Sequence, residues 1–349
     1  MLILTAKRMT QLNNAFTLFL SLLVEAMPFL LLGVLLSSVL LLFIDEQKLI
    51  ARLPKNPLLG ALVGSMVGFL FPVCECGNVP VARRLLMQGV PTPVAIGFLL
   101  AAPTVNPIVI WATWTAFRDQ PEIVVLRIAL SLIIATIVGW VFSVQKDLKP
   151  LLQPAIAKSW EYNFSPKQDI KKSTQASPLL QSGTFLLNQP GQMVRMDATV
   201  LQASLAATAP TKPLSDRLRL LVDNTIQELR ELGAVLVFGS AIAAFIQVAV
   251  PREVILNLGY GPVTSIIAMM LLAAVVSICS TVDSFFALSF SSTFTSGSLL
   301  AFLIFGPMID LKAIGLMLSI FKPKAVIYLF ALAAQLTFLF TLFINLQII

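Results

Sequence analysis

Histidine is absent from this chain. Its absence removes imidazole metal sites, histidine-based acid/base chemistry and every histidine-dependent triad. Charge is scarce: Asp, Glu, Lys and Arg make up 12% of the residues, against roughly 25% in soluble domains. Cysteine occurs three times, with no obvious soluble ectodomain around it, so no disulfide framework is expected. A G-x-x-x-x-G-K-[ST] loop and an H-E-x-x-H run are both missing, which excludes ATP binding by that loop and hydrolysis by that zinc motif. No cofactor is expected. The first apolar stretch is too long for a signal-peptide core and no A-x-A site follows it, so it should remain as a membrane span.

Hydrophobic residues make up 57% of the 349-residue chain. The mean hydropathy of +0.90 is that of a polytopic, all-α membrane protein. The net charge of +7 reflects basic loops held on the cytoplasmic side rather than nucleic-acid binding; the partner it implies is the lipid bilayer. Apolar runs predict about eight transmembrane helices. They cover Ala15–Ile44, Pro57 to about Val81, Pro93–Phe117, Pro121–Val144, Glu231–Val250, Pro262–Val282, Leu299–Phe321 and Ala325–Ile348. Gly60, Gly64 and Gly68 recur at the spacing that lets helices approach closely. Ser284–Ser298 is a further helix or a re-entrant segment.

Three regions follow. Residues 1–144 form a first membrane repeat and 214–349 a second. Between them, 145–213 is rich in Lys, Gln, Ser, Thr and Pro and reads as a flexible, basic, cytoplasmic linker. Four spans on either side of such a linker put both termini in the cytoplasm. Lys7, Arg8 and the Arg83–Arg84 pair agree with that topology, whereas Lys48, Arg52, Lys55, Lys322 and Lys324 then fall outside.

The two halves superpose. A shift of 205 residues pairs Pro57 with Pro262 and Cys74 with Cys279; one residue more pairs Glu25 with Glu231 and Gly33 with Gly239. One residue fewer pairs Pro103 with Pro307 and Asn106 with Asp310. Proline and glycine matches are cheap among apolar segments, but cysteine is scarce here and two charges fall in step. The chain therefore reads as an internal repeat, the usual plan of secondary transporters. Four crossings per half make the repeats parallel, and an odd number, with one segment re-entrant, makes them inverted.

Phe71–Trp111 organises the chemistry. Cys74 and Cys76 stand in a Cys-x-Cys-Gly run bracketed by Pro72 and Pro80. A helix has little reason to break there unless protein buries the break or it lines a cavity. Thiolates are soft ligands, suited to soft metals and to trivalent arsenic. Gly77 lets backbone approach a ligand, and Cys279 supplies a third sulfur. Cys279 taken alone reads first as a small apolar residue in a buried helix. Glu25, Glu231, Asp283, Asp310 and Lys312 are ionisable groups at membrane depth, which by default mark ion or substrate paths. Glu25, Glu231, Asp283 and Asp310 are the proton-coupling candidates. Pro103-Thr104-Val105-Asn106-Pro107 and its counterpart at Gly306-Pro307 are either plain kinks or broken helices whose freed carbonyls line a cavity.

The pattern carried by Pro72, Cys74, Cys76, Gly77, Pro80, Gly89, Pro103, Asn106 and Pro107 resembles a bacterial predicted-permease family that includes the organoarsenical efflux permeases. That resemblance implies two membrane halves joined by a variable hydrophilic loop, in a multi-pass protein of the bacterial inner (plasma) membrane. With it, the sequence reads as a permease rather than an enzyme, moving a small soft solute by alternating access. The solute is a trivalent organoarsenical or a sulfur compound held by Cys74, Cys76, Gly77, Asn106, Asp310 and Cys279. No metal is expected as a resident group, and a homo-oligomer fits the same reading. A rival reading is a transmembrane thiol–disulfide electron carrier that uses Cys74 and Cys279 as its redox pair.

Overall fold

The structure is a computed structural model. It describes residues 2–43, 53–54, 56–70, 75–144, 152–153, 185–187, 193–195, 214–249, 261–276, 279–291 and 293–347. The elements are α1 (Leu2–Phe43), α2 (Pro57–Leu70), α3 (Glu75–Met87), α4 (Thr92–Val105), α5 (Pro107–Ala116), α6 (Pro121–Val144), β1 (Phe185–Leu187), β2 (Met193–Arg195), α7 (Leu214–Ala249), α8 (Pro262–Val276), α9 (Ser280–Leu288), α10 (Ser296–Met308), α11 (Leu311–Met317) and α12 (Pro323–Gln347). β1 and β2 form one short antiparallel pair within the linker. Everything else regular among the described residues is helical. The protein is a polytopic helical membrane protein.

All eight apolar segments read from the sequence are helical among the described residues, but Pro57–Val81, Pro93–Phe117, Pro262–Val282 and Leu299–Phe321 each hold two helices rather than the single span expected. Among the described residues, six stretches are long and apolar enough to cross a membrane, two of them the broken pairs α4–α5 and α10–α11. α2 and α8 are shorter apolar helices. At 1.5 Å per residue, the 14 residues of α2 rise about 21 Å, short of a hydrocarbon core of about 30 Å.

Contacts show which way these short helices run. Gly64 packs on the Val94 backbone and Gly68 on the Ala102 backbone, so α2 and α4 are parallel. The Gly60/Gly64/Gly68 stripe is thus a helix–helix seam, as its spacing predicts. Asn78 Nδ2 donates to Leu99 O at 2.7 Å, and a turn at Gly89 (φ 86°) leads towards α4, so α3 runs antiparallel to α4. Only glycine adopts that φ without strain. α2 therefore enters the membrane and α3 returns to the same face.

The second half repeats this plan. Gly297 packs on Thr341 and Asn345, Asn345 donates to Pro262 O at 3.1 Å, and Gly306 lies against Ala273. α8 and α10 are therefore parallel and start from one face, so α9 must return towards that face. α1 and α7 are antiparallel: Leu22 packs with Ala243 and Ala244, while Thr225 donates to Ser38 at 3.1 Å.

Each half thus crosses three times, with one re-entrant hairpin, and the halves are inverted. Val144 and Leu214, which bound the linker, end on one face, here the linker face. Leu2 and Gln347 end on the opposite, terminal face. A linker and termini sharing one side of the membrane does not follow from three crossings per half. Most of 145–213 lies outside the described residues. Its described start docks on the α11–α12 turn: Leu152 bridges to Phe321, and Gln153 donates to Leu318 O at 2.8 Å.

Candidate functional site

Four helices start inside the bundle, two from each half: α3 at Glu75, α5 at Pro107, α9 at Ser280 and α11 at Leu311. α3 packs against α11 and α9 against α5, so every pairing joins the two repeats. Helix starts carry unpaired N–H groups and the positive end of the helix dipole.

The broken helices are true interruptions. Pro107 has no N–H to continue the ladder, and Asn106 is extended (φ −72°, ψ 153°), so α5 begins anew with Asn106 as its cap. Asn106 Oδ1 accepts from Val109 N at 2.9 Å, and its amide donates to Ala102 O at 3.3 Å. Asp310 does the same for α11, accepting from Ala313 N. The repeat-related Asn and Asp thus share one structural task. Thr104 is buried and donates back to Ala101 O at 2.9 Å, which occupies its hydroxyl within α4.

Charged and polar groups gather at these starts in two clusters. In the first, Lys312 Nζ lies 3.7 Å from Glu75 Oε1 and 3.8 Å from Asp310 Oδ2, all three side chains at most 5% exposed. Glu25, half-buried on α1, lies within electrostatic reach of Glu75 and Lys312. Glu75 Oε2 and Asn78 Oδ1 are buried with no hydrogen-bond partner. In the second, Arg127 Nη1 donates to Thr113 Oγ1 at 2.6 Å and to Ser284 Oγ at 2.9 Å. Asp283, 3% exposed, lies against Gly306. The shift of 205 residues relates Glu75 to Ser280 and Asn78 to Asp283. Each hairpin therefore carries one carboxylate and one neutral polar group in the first turn of its returning helix, in opposite order.

The predicted site residues fall in four places. Cys76 is fully buried in the first turn of α3, within electrostatic reach of Lys312, while Cys74 and Pro72 lie outside the described residues. Cys279 is the residue before α9, as Cys74 is the residue before α3. Gly77 lies against α1, where a Cβ on Gly33 would collide with the Gly77 carbonyl. Glu231 is apart from both clusters: it is exposed and pairs with Arg83 at 3.1 Å, towards the end of α3.

Sequence reasoning missed Arg127, Glu75 as the partner of Lys312, and the Arg84–Glu228 pair. Arg127 had a signal, since a lone arginine in the apolar run Pro121–Val144 is costly in a bilayer. Two surface cavities, of about 230 and 350 Å³, lie near the two ends of α6 rather than at the clusters.

Residues 11–346 match the family model described as a predicted permease. The chain is 37% identical over 319 residues to a Bacillus subtilis protein named UPF0718 protein YcgR, covering 91% of this chain and 92% of that one. It is 32% identical over 310 residues to a Streptococcus mutans protein, covering 89% and 88%. That protein carries the provisional name of two-component membrane permease complex subunit. No solved structure matches the chain. On these matches, spread over nearly the whole length, the chain belongs to the predicted-permease family.

Proposed function

We propose that this protein is an alternating-access permease of the bacterial plasma membrane for a small soft solute, a trivalent organoarsenical or a sulfur compound. Cys74 and Cys76 grip the solute, with Cys279 as a third sulfur and Asn106, Asp310 and Gly77 around it. The observation that carries this reading is the placement of the cysteines. Cys76 sits in the first turn of one hairpin's returning helix, and Cys279 directly precedes the other's. The hairpins enter from opposite faces, and each returning helix packs on a broken helix of the other repeat. Transporters built from inverted repeats hold substrate at such a junction and rock one repeat against the other. Asp283, Asp310 and Glu25, close to the junction, are the proton-coupling groups; Glu231, paired with Arg83, is the least suited of the four.

The linker face is cytoplasmic in this reading. Lys48, Arg52, Lys55, Lys322 and Lys324 then share the cytoplasmic side with the linker, which resolves the conflict left by a four-span topology. Both termini lie outside, with Lys7 and Arg8 as the exceptions to the charge rule. The subunit role in the Streptococcus relative's name extends to this chain as a second proposal, a partner subunit or a second copy in the membrane.

The shift of 205 residues that pairs Cys74 with Cys279 favours one rival, the thiol–disulfide electron carrier. The deciding experiment measures accumulation of phenylarsine oxide, methylarsenite and thiosulfate in vesicles carrying the full chain. Transport of at least one of them, absent from empty vesicles, supports the permease. No transport of any, together with oxidation of an external dithiol, supports the carrier.

A further inference from the structure

Arg83 and Arg84 close the last turns of α3, the helix that carries Cys76, and both reach α7 of the other repeat. Arg84 Nη2 donates to Glu228 Oε1 at 2.6 Å, with the two side chains 1% and 6% exposed. Arg83 Nη1 donates to Glu231 Oε2 at 3.1 Å at the more exposed edge. We infer that the Arg84–Glu228 pair, backed by Arg83–Glu231, is the gate that closes the path to Cys76 on the linker face. This inference rests on the alternating-access reading above.

Among the described residues, the clamp exists on one face only. The repeat relation carries Arg83 and Arg84 to Leu288 and Ser289, and Glu228 and Glu231 to Leu22 and Glu25, so no basic residue stands at the corresponding place. The packing follows the same asymmetry: α3 rests on α1 and α7, and among the described residues α9 has no comparable contact with either. Its Val282 and Phe285 are 45% and 50% exposed, where the related Gly77 and Pro80 of α3 are buried.

Polar atoms are also stranded here. Gln88, one turn beyond Arg84, is 3% exposed, and among the described residues neither of its amide atoms nor Glu228 Oε2 has a hydrogen-bond partner. Buried polar groups are normally paired. Such groups suit a passage that is hydrated when open and shut in this conformation.

Energetics also favours charge at a contact that opens. A buried ion pair gives little net stability over an apolar contact, because its attraction mainly offsets the cost of desolvating both charges. When the pair separates into water, each charge regains its hydration. An ion pair therefore serves a contact that must be made and broken better than a packed apolar seam.

The test uses the full chain in liposomes with Cys74→Ser and Cys279→Ser, which leaves Cys76 as the sole thiol. A membrane-impermeant methanethiosulfonate is applied from the linker side and from the terminal side. With the clamp intact, modification from the linker side should be slow. Glu228→Gln, and the double variant Arg84→Met with Glu228→Leu, should speed it about tenfold or more, equal to about 1.4 kcal/mol. The charge swap Arg84→Glu with Glu228→Arg should restore the slow rate. If buried variants do not insert, Arg83→Ala with Glu231→Ala should give a smaller acceleration on the same side. An unchanged linker-side rate, or equal acceleration from both sides, overturns the gate. A gate that controls labelling in a protein that moves no thiophile would refute the proposed cargo and leave the gate standing.

Discussion

The Lys312 ammonium sits between two carboxylates, 3.7 Å from Glu75 of one repeat and 3.8 Å from Asp310 of its own. α11, seven residues long, brings the cation to the start of α3, beside Cys76. One positive charge thus ties the thiol-bearing hairpin to the broken helix of the opposite repeat.

Removing that charge leaves two carboxylates buried together. Lys312→Met should therefore destabilise the protein severely, by about 3–5 kcal/mol as for other broken buried pairs. Adding Glu75→Gln to Lys312→Met should recover part of the loss, because the residues are in direct contact and their effects do not add. Thermal unfolding in detergent of the two single variants and the double variant checks this. Strict additivity would show that the contact carries no coupling.

Asp310 and Asn106 make a second prediction, because both cap a restarted helix. Asn and Asp are nearly equal as caps, and replacing either by Ala costs about 0.5–2 kcal/mol. Both variants lose the negative charge beside Lys312, but Asp310→Asn should keep the cap that Asp310→Ala loses and so be the more stable of the two by about that amount. Unfolding curves separate the two variants. Equal destabilisation by Asn and by Ala would mean that the charge, rather than the cap, holds α11 in place.

Glycine packing gives a third. A Cβ on Gly33 would strike the Gly77 backbone, whereas one on Gly233 meets nothing within 4 Å. Gly33→Ala should block insertion or folding, because backbone cannot step aside as a flexible side chain can. Gly233→Ala should be neutral or stabilising by up to about 1 kcal/mol, the usual helix preference for alanine. Expression level and melting temperature of both report the difference, and equal behaviour would contradict the α1–α3 contact.

Much of this architecture was legible in the chain. Apolar runs gave the helices, Gly60, Gly64 and Gly68 gave the α2–α4 seam, and Pro107 and Pro307 marked the broken helices. Direction was not legible. α2 with α3 fills nearly the same length of sequence as one crossing, and hydropathy carries no sign to show that the chain turns back. Glu75 had no partner legible in the sequence, because Lys312 lies more than two hundred residues away. Arg84 and Glu228 lie 144 residues apart, so nothing in the sequence pairs them and only the fold buries them together.

The inverted arrangement predicts where the ends lie. Protease added to inside-out vesicles should cut within 145–213 and leave a C-terminal tag intact. A tag on either terminus should be reached only from the outside. Linker and tags accessible from the same side would require an even number of crossings per half and contradict the re-entrant hairpins.

Serine substitution asks whether thiols in the two hairpins hold the cargo, because a hydroxyl nearly matches a thiol in volume but is a poor soft ligand. The measurement is phenylarsine oxide transport in vesicles by Cys74→Ser, Cys76→Ser and Cys279→Ser, at matched protein abundance. Severe loss for Cys74→Ser and Cys76→Ser with a smaller loss for Cys279→Ser is the predicted result. Absence of transport by the unmodified chain, with oxidation of an external dithiol lost only in Cys74→Ser and Cys279→Ser, would point to the electron carrier, and normal transport by all three variants would show that the thiols do not hold the cargo.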